Sequence, residues 1–499
     1  MTKRETITAA VLSATLLAGG AETNDWENTQ VTERNRLPAR TYALPLADAA
    51  AAFTDAIEPE TPYRQSLNGS WKIKWVGDPA RRPDGFWAPD YDDADWSEVD
   101  VPSCLEMRGF GSPQYTNVIY PHKNEWPTIR DRFTGRADYN PVASYRTTFT
   151  VPEAWDGRRV ILRFDGVYSA YYVWVNGRPV GYAEDSKLPS EFDITPYLKK
   201  KSDAREKNDV SGAASERSGG SDAANLLAVQ VFRWSDGSFL EDQDMFRFTG
   251  IFRDVTLWSM PQDGIWDFHV RPTVRVENGA CVEAALAIDG LDGAWEATLY
   301  DADRQSVAAL NAQSSTFNFA PAALPRLWSA EKPYLYTLIV RKGDDIRAKK
   351  VGFKEQTIVG STFFVNGRPV KLKGVNRHES DPADGRTVSL DSMMKDIELF
   401  KKYNINTVRT CHYPDHHLWY DLCDRYGIYV IAEANIEAHE PGYGDKGLGR
   451  FPDWDKAIVE RNVRNVLFHR NNPSVTLWSM GNETGHGDCF RHAIAAVKE

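Results

Sequence analysis

Beyond residue 370 the hydrophobic pattern changes period, and this change restricts the fold more than any other feature of the chain. Residues 372–375 read as a strand. From Ser389, an N-capping hydroxyl, an early Asp391 and apolar Met393, Ile397 and Phe400 give helical spacing. Residues 407–409 follow as a strand, 418–426 as a helix stopped by Gly427, 428–432 as a strand, and 455–468 as a helix with Val459, Val463 and Val466 on one face. Residues 475–479 read as a fourth, buried strand that breaks at Gly481 and delivers Asn482-Glu483. Such alternation predicts a parallel sheet of the (β/α)8 TIM-barrel kind, whose chemistry gathers past the C-terminal ends of the strands. A barrel takes about 250 residues and eight strands. Only about 145 residues follow Phe353, so 355–499 is expected to hold the first half of a barrel.

Upstream the period is two. Residues 67–75, 145–150, 160–164, 170–175 and 225–232 read as strands, and Asn176-Gly177 signals a type I′ hairpin turn. Residues 60–260 are therefore expected to form an all-β sandwich, interrupted at 199–222 by a stretch of Lys, Ser, Gly, Ala and mixed charge that predicts a disordered loop. A second sandwich over 261–354, with strands at 268–276, 281–286, 297–300 and 335–340, suits an immunoglobulin-like domain by length and strand number. Residues 25–59 are polar and proline-bearing, an extended arm. Before them, Lys3 and Arg4 precede the apolar run 9–18 and small Gly19-Gly20-Ala21, the layout of a signal peptide over 1–24. That layout favours an exported or periplasmic protein over a cytoplasmic one. The run is too short to span a bilayer, and no later stretch does better, so no membrane partner is expected.

The net charge of -11 without a Lys/Arg-rich patch excludes a nucleic-acid footprint. Sixteen Trp, 21 Tyr and 22 Phe suit sandwich cores, with some left to meet sugar faces. Five cysteines (Cys104, Cys281, Cys411, Cys423, Cys489) are odd in number and not spaced for metal, so neither a disulfide framework nor a zinc site is predicted.

Four segments past strand ends carry the chemistry: Gly374-Val375-Asn376-Arg377-His378-Glu379, Val408-Arg409-Thr410-Cys411-His412-Tyr413-Pro414, Ala432-Glu433-Ala434-Asn435-Ile436-Glu437-Ala438-His439, and Met480-Gly481-Asn482-Glu483. With the loop 233–247 (Arg-Trp-Ser-Asp-Gly-Ser-Phe-Leu-Glu-Asp-Gln-Asp-Met-Phe-Arg), they resemble the β-galactosidases of glycoside hydrolase family 2. The resemblance implies a jelly-roll first domain and hydrolysis of terminal β-galactosides such as lactose with retention, a chemistry that needs two carboxylates about 5–5.5 Å apart. It makes Glu483 the general acid/base and His412 a transition-state stabiliser, with Asn117, Asp236, His378, His412 and Asn482 binding substrate. It also implies Mg2+ on Glu437, His439 and Glu483, a partial Na+ site at Asp236, and a homo-oligomeric full-length protein. The nucleophilic Glu is expected beyond residue 499, leaving this stretch alone inactive. A β-glucuronidase-like hydrolase and a non-catalytic galactoside-binding fragment stand as alternatives.

Overall fold

The computed structural model describes residues 24–199 and 224–499; the signal-like segment and nearly all of the expected loop at 199–222 lie outside them. The first domain packs two antiparallel sheets face to face. The larger has seven strands in the order Glu33–Arg34, Arg178–Ala183, Ala170–Val175, Asn225–Phe232, Val142–Phe149, Gly69–Val76, Ser97–Val101; the smaller has four, from Ser190–Asp193 through Arg159–Phe164 and Val255–Met260 to Arg64–Ser66. Trp71, Tyr145, Leu162, Val229 and Leu257 fill the space between. Glu33–Arg34 supplies an edge strand, so the arm is part of the sandwich. Farther on, it pairs Arg40 with buried Glu191 and bridges Pro45 to Arg347 of the next domain.

The second domain stacks a three-stranded sheet (His269–Glu277, Ala280–Asp289, Thr316–Asn318) on a four-stranded one (Ser306–Asn311, Glu296–Tyr300, Tyr336–Lys342, Asp345–Val351), all antiparallel. A hairpin turning at Asn366-Gly367, both at positive φ as a type I′ turn requires, leads onward.

There the pairing becomes parallel. Strands β1 (Gly374–Arg377), β2 (Thr407–Thr410), β3 (Tyr429–Glu433) and β4 (Val475–Ser479) form one sheet in sequence order. Helices α1 (Leu390–Lys402), α2 (His417–Tyr426) and α3 (Asp455–His469) join them, and α4 (Asp488–Lys498) follows. The Ser389 hydroxyl caps α1 by accepting from Ser392 N–H, and Met393, Ile397 and Phe400 are its buried face. Gly427 ends α2 at φ +71°, where a Cβ would stand 2.3 Å from the Ala330 carbonyl oxygen.

Two expectations change. Strand β4 is an edge with only Val475 buried, because β3 alone pairs with it. Helix α3 buries Arg461, Asn462, Arg464 and Asn465 more deeply than Val459, Val463 and Val466. The reason is polar: Arg461 reaches Glu241 and Arg464 reaches Asp185, both on the first domain, so the helix is clamped between sandwich and barrel strands. Among the described residues no helix is long and apolar enough to cross a membrane.

Candidate active site

Past β4 the chain turns at Gly481 (φ +135°), where a Cβ would lie 2.8 Å from the Ile436 carbonyl oxygen. Without one, Asn482 N–H donates to that oxygen at 2.8 Å. Glu483 follows at φ +33°, a conformation a non-glycine residue holds only when its surroundings impose it, at about 1–3 kcal/mol. Such strain concentrates where a side chain must be aimed.

Glu483 is aimed at Glu437 and His439. One ligating atom from each of the three lies within 4.8 Å of the others, and His439 Nδ1 stands 3.4 Å from Glu483 Oε2. Glu483 is half exposed, whereas Glu437 is fully buried and neither of its oxygens has a partner of hydrogen-bonding geometry. Burial raises the Glu437 carboxyl to about 8; the neighbouring Asn482 amide offsets part of this, and the charges of Asp242 and Glu483 add to it. A buried, orphaned carboxylate facing a second carboxylate and an imidazole is a donor set for a hard divalent cation, which the residues present therefore fit.

A second group forms between β1 and β2. His378, Cys411 and His412 each bring a ligating atom within 4.8 Å of the others. His412 Nδ1 lies 2.8 Å from Glu433 Oε1, and His378 Nδ1 lies 3.0 Å from the Tyr413 hydroxyl, which also takes a hydrogen bond from Arg386. Burial, with the charges of Arg386 and His412, lowers His378 to about 4, so its ring is neutral near pH 7.

Glu433 ties the two groups together. Its carboxylate accepts from Arg409 Nε (2.8 Å) and Nη2 (2.9 Å), from His412 Nδ1 and from the Ser479 hydroxyl, while Arg409 Nη2 also donates to Asn482 Oδ1 at 2.8 Å. Burial alone would raise this carboxyl, but the hydrogen bonds from His412, Arg409 and Ser479 outweigh it and hold it below the ordinary glutamate value. Glu433, the last residue of β3, is not among the site residues expected from sequence; its place comes from hydrogen bonds with residues on or just past β2 and β4.

The loop from the first sandwich docks along the segment bearing Glu437. Asp242 N–H donates to the Glu437 carbonyl at 3.0 Å and Glu437 N–H to the Leu240 carbonyl at 2.7 Å. Buried Asp242, which burial raises to about 7, accepts from the His439 and Glu440 amides. The expected Asp236 is elsewhere. It is buried in a carboxyl pair with Glu184, near Arg461 and Asn28, so the partial sodium site expected on it has no place at the cluster. The reason is local: Asp236–Leu240 coils into a short 3-10 helix that turns its first residue away, and only later does the loop reach the site. Exposed Asp244, eight positions on, lines with His378, Arg386 and the paired rings of Tyr115 and Phe246 a cleft of about 630 Å³. Asn117 is exposed just past Gln114–Thr116, the strand paired with Met245–Arg247; its side chain accepts from the Val118 amide.

Three family profiles match this sequence. The sugar-binding domain of glycosyl hydrolases family 2 covers residues 64–207 and 218–261, a further glycosyl hydrolases family 2 domain covers 262–354, and the family's TIM-barrel domain covers 357–499. The chain belongs to glycosyl hydrolases family 2. It is similar to the β-galactosidase of Priestia megaterium (strain DSM 319 / IMG 1521), with 37% identity over 505 residues, 95% of this chain and 46% of that protein. It thus spans about half the length of that relative. Among solved structures it is similar to a β-glucuronidase from Ruminococcus gnavus (TM-score 0.65, 21% identity, 88% of this chain and 72% of that one). Bacteroides uniformis β-glucuronidase 2 also matches (TM-score 0.62, 22% identity, 83% and 46%). At these identities the likeness bears on the fold.

Proposed function

We propose that this chain is the part of a retaining β-galactosidase that carries the acid/base half of the active site. The observation carrying the reading is the convergence of Glu437, His439 and strained Glu483 beside an Asn482 braced by Arg409. Residues 60–260 serve as a jelly-roll sugar-binding domain, 261–354 as an immunoglobulin-like spacer and 355–499 as the first half of the barrel. The similarity to a β-galactosidase at 37% identity, against 21–22% for the β-glucuronidases, favours galactosides over glucuronides.

Glu483 protonates the departing glycosidic oxygen, then takes a proton from the water that completes hydrolysis. Arg409 occupies Asn482 Oδ1, so Nδ2, whose contact with Glu483 Oε2 is a long 3.5 Å, is the atom that donates to the sugar 2-hydroxyl, a contact that strengthens in the transition state. His412 Nδ1–H donates to Glu433, so Nε2 accepts from a sugar hydroxyl; His378 and Asp244 line the neighbouring cleft, and Asp244 takes the binding role expected of Asp236. Mg2+ held by Glu437, His439 and Glu483 would supply positive charge that neutralises Glu437 and tunes the acidity of Glu483. The nucleophile is a further carboxylate outside 1–499, since Glu437 is buried and committed to the cation.

The test compares hydrolysis of nitrophenyl β-galactoside and β-glucuronide by the complete polypeptide and by residues 1–499. Galactoside turnover by the former alone, lost in Glu483→Gln and restored by azide as β-galactosyl azide, is expected. Preference for the glucuronide would overturn the substrate assignment, and tight galactoside binding without turnover in either protein would make this a binding module.

A further inference from the structure

Cysteine spacing along the sequence gives no metal site, but folding brings three potential ligands together past the strand ends. Cys411 ends the β2 segment with its thiol turned inward and 2% of the residue exposed, next to His412 in sequence and His378 across the sheet. Their ligating atoms lie within 4.8 Å of one another, close enough for small side-chain adjustments to bring them around one ion. The imidazoles are already oriented. Ionised Glu433 can only accept, so His412 Nδ1 carries the proton and its Nε2 presents a lone pair; the Tyr413 hydroxyl, which can donate or accept, holds the His378 ring at Nδ1, and among the described residues neither Nε2 has a hydrogen-bond partner. A carboxylate or hydroxyl behind each imidazole is the outer arrangement that fixes ring orientation at metal centres.

We propose that His378, Cys411 and His412 form a second metal site, selective for a soft or borderline divalent cation of the zinc class and distinct from the carboxylate-rich site at Glu437, His439 and Glu483. Two imidazoles and a thiolate favour zinc, cobalt or copper, whereas two carboxylates and one imidazole suit magnesium. Binding replaces the Cys411 S–H bond with a sulfur–metal bond and releases one proton to solvent. The ion sits beside the cleft that His378 lines and ties up the imidazoles that substrate binding uses, so zinc opposes what magnesium supports.

The experiment titrates Co2+ into the complete polypeptide in saturating Mg2+ and follows the near-ultraviolet thiolate-to-cobalt charge-transfer band. This readout needs no sugar and no turnover, so its failure leaves the galactosidase assignment untouched. The band is expected in the wild type and absent in the near-isosteric Cys411→Ser, with zinc displacing cobalt and abolishing it. His378→Ala and Glu433→Gln should weaken Zn2+ binding by calorimetry about 10- to 100-fold. Absence of the band in a folded wild type, its survival in Cys411→Ser, or Zn2+ affinity unchanged in both His378→Ala and Glu433→Gln would each overturn the site.

Discussion

Glu433 receives four hydrogen bonds and offers none, so its charge is irreplaceable even by a side chain of the same shape. In Glu433→Gln the amide hydrogens meet donors from Arg409 or His412, and both swing away. Arg409 then releases Asn482, and His412 loses its fixed tautomer. Turnover of nitrophenyl β-galactoside by the complete polypeptide should fall on the order of 100-fold with little change in melting temperature. Activity within twofold of wild type would show that Glu433 does not position the site. Asp236 makes the opposite case, an acid expected at the site that is instead buried beside Glu184. Burial raises it to about 7 beside Glu184, against about 3.9 when unfolded. Between these values the native state binds the extra proton, so its contribution to stability is lost as pH rises from about 4 through 7. Asp236→Asn should flatten that fall, gaining roughly 1–3 kcal/mol over wild type at pH 8 relative to pH 4 in urea unfolding. Equal slopes for the two proteins would refute it.

At the scale of elements, periodicity made α1 and α2 legible down to the Ser389 cap and the Gly427 stop, because both helices bury an apolar stripe. It misread α3 because the most buried face there is polar and its partners lie more than 200 residues away in sequence. The same cause hid Glu433: its importance comes from hydrogen bonds between three strands, and local pattern carries no trace of those. The Glu437–His439–Glu483 grouping was expected from the family resemblance, and all three residues do follow strand ends on one edge and come together. Asp236 does not join them, since one turn of 3-10 helix decides which of the loop's four acids reaches the site. The polar clamp on α3 can be measured. Arg461 donates to Glu241 Oε1 at 2.8 Å and to the Asn435 carbonyl at 2.7 Å, with both side chains buried. Arg461→Ala leaves Glu241 charged and buried without its cation and should cost about 3–5 kcal/mol in urea unfolding. Adding Glu241→Gln should recover part of that loss; strict additivity would mean the pair is not coupled.

Across the whole molecule, the Glu437–His439–Glu483 cluster rests on contacts from two domains. Glu437 and His439 stand on a segment whose backbone is pinned by Leu240 and Asp242 from the first sandwich, and Tyr120 of that domain donates its amide to Glu440 at 2.6 Å. A cation bound there would therefore be expected to stabilise the union of sandwich and barrel strands as well as a local turn. By linkage, Mg2+ at a hundredfold excess over its Kd should raise unfolding free energy by about 2.7 kcal/mol, and chelation should remove that increment. A cation there would relieve the repulsion between Glu437 and Glu483, so the metal-free protein should lose protection against amide hydrogen exchange on both sides of the contact, in 236–247 and in 434–442 together. His439→Ala should abolish the magnesium increment in thermal melts while leaving the metal-free melting temperature within a few degrees of wild type. An increment of the same size in His439→Ala would place the stabilising ion elsewhere, and exchange that rises only in 434–442 would confine the cation's effect to the barrel.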